Sequence, residues 1–101
     1  MKREEALNKS YAILGAARSG IGIARFLNRK GAKVFISDSS SEDKLMYFDK
    51  NILMNEKIEF ELNGHSNKIF DYDIIIKSPG IKPDSDIIVK SINKGKEIFS
   101  E

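Results

Sequence analysis

The stretch Tyr11-Ala12-Ile13-Leu14-Gly15-Ala16-Ala17-Arg18-Ser19-Gly20-Ile21-Gly22-Ile23-Ala24-Arg25-Phe26-Leu27 constrains this chain more than any other. An apolar run breaks at Gly15, passes through small residues, and resumes at helical spacing, the form of a strand, a tight loop and a helix. Such a turn gathers backbone N–H groups and the positive end of a helix dipole at one point, which suits a diphosphate. Within it Gly15 permits the turn, small Ala17 lets backbone approach a phosphate, and Gly20 lets the helix lie close on the sheet. Ser19 adds a hydroxyl donor and Arg18 a positive charge. Ala17 stands where the dinucleotide fingerprint G-x-G-x-x-G has its middle glycine, so the loop alone also fits a small-residue turn without a ligand.

The rest of the chain alternates short apolar runs with amphipathic segments, the pattern of a parallel sheet with helices on its faces. Strands are expected at 11–14, 33–37, 58–62, 73–77 and 97–99, the fourth buried on both faces through Ile74-Ile75-Ile76. A first helix over 19–30 carries Ile23, Phe26 and Leu27 as its apolar stripe and ends at Gly31. A second starts at Ser39-Ser40-Ser41, where a serine caps free N–H groups and Glu42 and Asp43 favour the dipole. The link 63–72 has room only for a turn or a short helical piece. A last helix begins near 84–86, buries Ile88, Ser91 and Ile92, and stops at Gly95. The expected fold is α/β: a Rossmann-like, doubly wound, five-stranded parallel sheet of order 3-2-1-4-5 with helices on both faces, one domain over 1–101.

In that order strands one and four are neighbours whose crossovers leave on opposite faces, so their C-terminal loops open a crevice. The loop after strand four is Ser78-Pro79-Gly80-Ile81, in which Pro79 holds Ser78 extended and Gly80 is expected to take a backbone conformation closed to other residues. It offers N–H groups and a hydroxyl to the same ligand, or is an ordinary turn. Asp38 ends strand two, where such domains place an acid on a ribose or base edge, and it lies eighteen residues past Gly20. Its competing reading is a capping aspartate beside three serines. His65, next to Gly64, is read as a solvent-exposed loop residue. Asp71, Asp73, Asp84 and Asp86 read as strand-edge and cap residues, and no catalytic constellation or metal site stands out.

Size and charge narrow the function. With 101 residues there is room for one core but not for a second, catalytic domain. A net charge of +2, both signs interspersed, lacks the field of a nucleic-acid or membrane-surface binder. Absence of cysteine excludes disulfides, thiolate metal sites and a thiol nucleophile. No G-x-x-x-x-G-K-S/T loop is present to cradle a triphosphate. Neither an apolar run long enough to span a membrane nor a signal-peptide pattern is visible, so the cytoplasm is the expected compartment. The stop directly after a strand reads as the end of an excised domain.

Taken in order, the loop Gly15 to Gly20 with its helix, the strand Val34-Phe35-Ile36-Ser37-Asp38, the segment Asp73-Ile74-Ile75-Ile76-Lys77-Ser78-Pro79-Gly80-Ile81 and the closing Gly95-Lys96-Glu97-Ile98 resemble the N-terminal domain of the Mur ligases of peptidoglycan synthesis. Ser-Pro-Gly-Ile points to the branch that joins D-glutamate to UDP-N-acetylmuramoyl-L-alanine. The resemblance implies a UDP-binding domain, with the diphosphate at Arg18, Ser19 and Gly20 and near Gly80, and uridine toward Asp38 and Ser39. It implies ATP and Mg2+ as requirements of the full-length enzyme, with D-glutamate and ATP bound by domains absent here, and an inactive, monomeric fragment. Two other readings remain: a nicotinamide or flavin dinucleotide domain of an oxidoreductase, and a non-catalytic nucleotide-sensing module.

Overall fold

The computed structural model describes residues 8–101. Five parallel strands, β1 (Ser10–Leu14), β2 (Lys33–Ser37), β3 (Glu59–Glu61), β4 (Ile74–Lys77) and β5 (Glu97–Ser100), form one sheet in the order β3-β2-β1-β4-β5. Register is set across the centre, where Ala12 pairs with Phe35 on one side and Ile75 on the other. Side chains alternate across a strand, so Tyr11, Ile13, Val34, Ile36 and Ile74 enter one core layer, and Ala12, Leu14, Phe35 and Ile75 the other. Burial on both faces is why the central strands are continuous apolar runs.

Helix α1 (Arg18–Arg29) and the short α2 (Lys50–Asn55) cover the first layer, through Ala24 and Leu53. Helix α3 (Asp86–Asn93) and a 3-10 segment, Asn67–Asp71, cover the second through Ile88 and Ile69, where Phe35 and Tyr72 stack with ring centroids 5.4 Å apart. The short link 63–72 therefore does core work: its one helical piece delivers Ile69, which is fully buried.

Three expectations need correction. The face that α1 turns to the sheet is Gly20, Ala24 and Leu27 with Ile23, and Phe26 is exposed, with the Lys30 ammonium over its ring. Small residues at i and i+4 bring the helix axis close to the sheet, and Phe26 falls to the side of that line. Second, no α-helix starts at the serine cluster. Ser41 hydrogen-bonds Asp43, only a single 3-10 turn (Glu42–Lys44) forms, and α2 begins later, where Asp49 accepts from the N–H groups of Asn51 and Ile52. Leu45 explains this: its backbone is extended at φ −109° and ψ 93°, and it packs inward with Phe48, which meets Phe60 edge to face. Third, α3 buries Ile88 and Ser91 as expected, but Ile92 is exposed.

Helix α1 ends as its sequence requires. Gly31, at φ +96°, donates to the Asn28 carbonyl, and Ala32 donates back to Leu27. At its start, a Cβ on Gly20 would run into the carbonyl oxygen of Gly15, well inside any real contact, whereas a Cβ on Gly22 would meet nothing. Gly20→Ala is therefore expected to destabilise the fold by about 3 kcal/mol, and Gly22→Ala to stabilise it by about 0.5–1 kcal/mol. Urea unfolding followed by circular dichroism checks both signs.

Candidate functional site

The C-terminal ends of β1, β2 and β4 are tied together by backbone. Gly15 donates to the Ser37 carbonyl at 2.8 Å and Ser78 donates to the Leu14 carbonyl at 2.9 Å. Gly15 sits at φ +118°, and a Cβ there would lie 2.8 Å from that of Ser78, so the two loops can meet only because Gly15 lacks a side chain. The chain then enters α1 through Ala17, whose side chain offers no cap, and no acidic residue occupies the first turn. Polar N–H groups thus point out of the sheet edge with the positive end of the dipole behind them. Ala17, Arg18 and Ser19 are exposed at this point. The Arg18 guanidinium lies 5.9 Å from the Tyr47 ring, and the Ser19 hydroxyl donates to the Glu101 carboxylate.

Asp38 is the brace of the neighbouring loop. One carboxylate oxygen accepts from the Ala16 N–H at 2.7 Å and the other from the Ser40 N–H at 2.8 Å. Its own backbone joins β3 and the turn beyond, donating to the Glu61 carbonyl and accepting from Gly64. The capping role weighed for this aspartate is thus realised as an Asx-type turn, and the same carboxylate ties the glycine loop to strand β2. Each oxygen keeps a lone pair for a further donor.

Ser78, Pro79, Gly80 and Ile81 form a turn in which Ile81 donates to the Ser78 carbonyl and Gly80 donates to the Ser78 hydroxyl. Gly80 is not in the left-handed region, contrary to expectation, and a Cβ there would make only an ordinary 3.8 Å contact with Ser78 Oγ. Positive angles near the crevice occur at Gly15 and at Asn63 and Gly64, which turn the chain after β3. Pro79 already shapes the turn, and a side chain at Gly80 would fit without a clash.

A cleft of about 630 Å³ opens beside this turn, and Ser39, His65, Gly80, Ile81, Ile87 and Lys90 are among its walls. Of the residues expected at the site, Ser39 and Gly80 meet here, while Arg18, Ser19 and Gly20 lie outside it at the α1 N-terminus. Across the cleft, Ser85 caps no N–H group of α3, and its hydroxyl is buried without a partner. No three His, Asp or Glu side chains cluster to hold a metal among the described residues.

His65 was missed. It is half-buried, with Nδ1 2.7 Å from the hydroxyl of the fully buried Ser37, which also lies 2.7 Å from a Glu61 carboxylate oxygen. Strand order held the signal: with β3 beside β2, a turn leaving β3 must pass over the end of β2 where Ser37 and Asp38 stand. Burial lowers the His65 pKa against the opposing pull of Asp38 and Glu61. Burial raises that of Glu61, but hydrogen bonds from Ser66 and Ser37 outweigh it and the net shift is downward.

Both folded-state values are lower than the unfolded ones, so each group contributes stability that is complete above its unfolded pKa and drains away as pH falls. Loss is expected to begin as pH drops through 6.5, the ordinary histidine value, and to steepen below 4.5, that of glutamate. In His65→Gln the first phase disappears and the second remains, which urea midpoints measured across this range test directly.

A family profile described as MurD N-terminal domain matches residues 12–87. The chain is 40% identical over 97 residues to the UDP-N-acetylmuramoylalanine--D-glutamate ligase of Christiangramia forsetii, covering 94% of this chain and 21% of that protein. To the protein of the same name from Thermosipho africanus it is 38% identical over 91 residues, covering 90% and 21%. Among solved structures, a pseudomurein peptide ligase type C from Methanothermus fervidus superposes with a TM-score of 0.70 at 27% identity, over 92% of this chain and 19% of that one. The chain thus spans about a fifth of the length of its curated relatives. An all-parallel sheet of order 3-2-1-4-5, a glycine-gated loop at its C-terminal edge and these likenesses place the chain in the MurD N-terminal domain family.

Proposed function

We propose that the chain is the substrate-binding part of an ATP-dependent ligase of peptidoglycan synthesis that joins D-glutamate to UDP-N-acetylmuramoyl-L-alanine, and that it holds the UDP end of that substrate. The observation that carries this reading is the uncapped start of α1, pointing out of the sheet edge between the β1 and β4 loops in a chain whose relatives bear that ligase name. N–H groups at Ser19 and Gly20, the Ser19 hydroxyl and the Arg18 guanidinium suit a diphosphate, which passes over Gly80. Uridine lies toward Asp38 and Ser39, where Asp38 has lone pairs left to accept from ribose hydroxyls.

The chemistry belongs to the whole enzyme. The substrate's alanine carboxylate attacks the γ-phosphorus of ATP, giving an acyl phosphate and ADP, and the amine of D-glutamate then displaces phosphate to form the amide. ATP, Mg2+ and D-glutamate are assigned to the remaining domains, and this chain alone turns nothing over. Its contribution is positional: fixing the far end of a long substrate so that the carboxylate arrives in one place. No helix among the described residues is long and apolar enough to cross a membrane. The enzyme is proposed to act as a monomer in the cytoplasm.

Amide shifts in the 15N-labelled chain test the reading. UDP and UDP-N-acetylmuramoyl-L-alanine are expected to move Ser19, Gly20, Asp38 and Gly80, and a response to NADH alone would turn the assignment to an oxidoreductase. Gly80→Val is expected to weaken UDP binding by about tenfold, roughly 1.4 kcal/mol, while leaving the urea midpoint within about 0.5 kcal/mol, because its side chain enters the path of the ligand and not the core.

A further inference from the structure

We infer that His65 reads the base of the bound nucleotide, its Nε2 accepting a hydrogen bond from the imide N3–H of uracil. The inference rests on the UDP-binding reading above and goes beyond it by assigning base selection to one atom. It begins with Ser37. That hydroxyl has one proton and two neighbours, Glu61 Oε2 and His65 Nδ1, each at 2.7 Å. The Glu61 carboxylate only accepts, and its Oε2 also takes the Ser66 N–H at 2.9 Å, so the Ser37 proton goes to Glu61. The remaining lone pair of Ser37 then requires a donor, which fixes the proton of His65 on Nδ1. In a neutral ring the second nitrogen, Nε2, is a bare acceptor.

Nε2 has no partner among the described residues. It is also reachable, because the sole buried and unpartnered side-chain atom among them is Ser85 Oγ. His65 lines the cleft together with Ser39, Gly80 and Ile81, so the cleft continues from the turn over which the diphosphate is proposed to pass. At about 630 Å³ it has the size of a small-ligand pocket. We place the lone pair of Nε2, oriented by a relay of Glu61, Ser37 and Nδ1–H, on this wall. Uracil carries a donor at N3. Cytosine carries a lone pair there, and opposing two lone pairs is unfavourable, so uridine is favoured over cytidine.

The experiment is a titration of the 15N-labelled chain with UDP and with CDP at pH 8, where the imidazole is neutral. Binding is read at Ser19, Gly20 and Gly80, and the state of His65 from its ring 15N resonances. The expected result is UDP binding about tenfold or more tighter than CDP, with the pyridine-type Nε2 resonance moving on addition of UDP alone. In His65→Ala the preference falls to within about twofold, and the shifts at Ser19 and Gly20 persist. His65→Gln, whose amide oxygen can accept, retains part of the preference. Equal affinity of the unaltered chain for UDP and CDP, an Nε2 resonance indifferent to UDP, or an undiminished preference in His65→Ala overturns the inference and leaves the diphosphate site standing. Silence toward both nucleotides overturns the UDP-binding reading itself and the inference with it.

Discussion

The close approach of α1 to the loop before it sets the geometry on which everything else depends. With hydrogen at Gly20, the first turn of the helix can lie against the Gly15 carbonyl, and with hydrogen at Gly15 the same loop can lie against Ser78. The two contacts bring the start of the helix and the β4 loop to a common edge of the sheet. Had either position carried a side chain, the N–H groups of α1 would be displaced from the crevice. The positive dipole end at this edge is thus placed by backbone packing, and the charged side chain nearby, Arg18, adds to a field already in place.

Strands and their order were legible because their residues answer to a single requirement, burial on two faces. A central strand such as Ile74–Lys77 has no alternative to the middle of a parallel sheet. The glycine loop was legible because each small residue has a steric reason. What failed to show was decided by competition. Ser39, Ser40 and Ser41 look like a helix start, but Asp38 and Asp43 draw their polar groups into local turns, and Leu45 and Phe48 are pulled inward before a helix can form. Phe26 has the right spacing for the core, yet Gly20 and Ala24 settle which face comes closest. At Gly80 the backbone takes an angle open to other residues, so conformation does not account for the glycine. The contact of His65 with Ser37 depends on which strands are adjacent and on nothing in its own neighbourhood.

Polar groups behind the crevice follow a consistent rule. The Ser37 hydroxyl of β2 is satisfied by Glu61 of β3, and the Ala16 N–H after β1 by Asp38 after β2. Linking strand ends in this way replaces the hydrogen bonds that the sheet ladder stops supplying at its edge. The crevice is floored by satisfied groups, so those left facing outward, at the α1 N-terminus and on the His65 ring, stand out against it.

The bridges between strand ends also bear on time. The amides of Gly15, Ala16 and Ser78 are each held by an acceptor on another strand or strand end, the Ser37 carbonyl, the Asp38 carboxylate and the Leu14 carbonyl. None can be released by the swing of a single loop. Solvent exchange at these three amides accordingly requires the central strands to separate, and it proceeds at the slow rate of the whole sheet. In Ser19 and Gly80, a short distance away, it runs at the rate of a surface turn. The floor of the crevice is pinned by strand-to-strand bonds that its rim lacks, so the base of the crevice is fixed where its edge is adjustable.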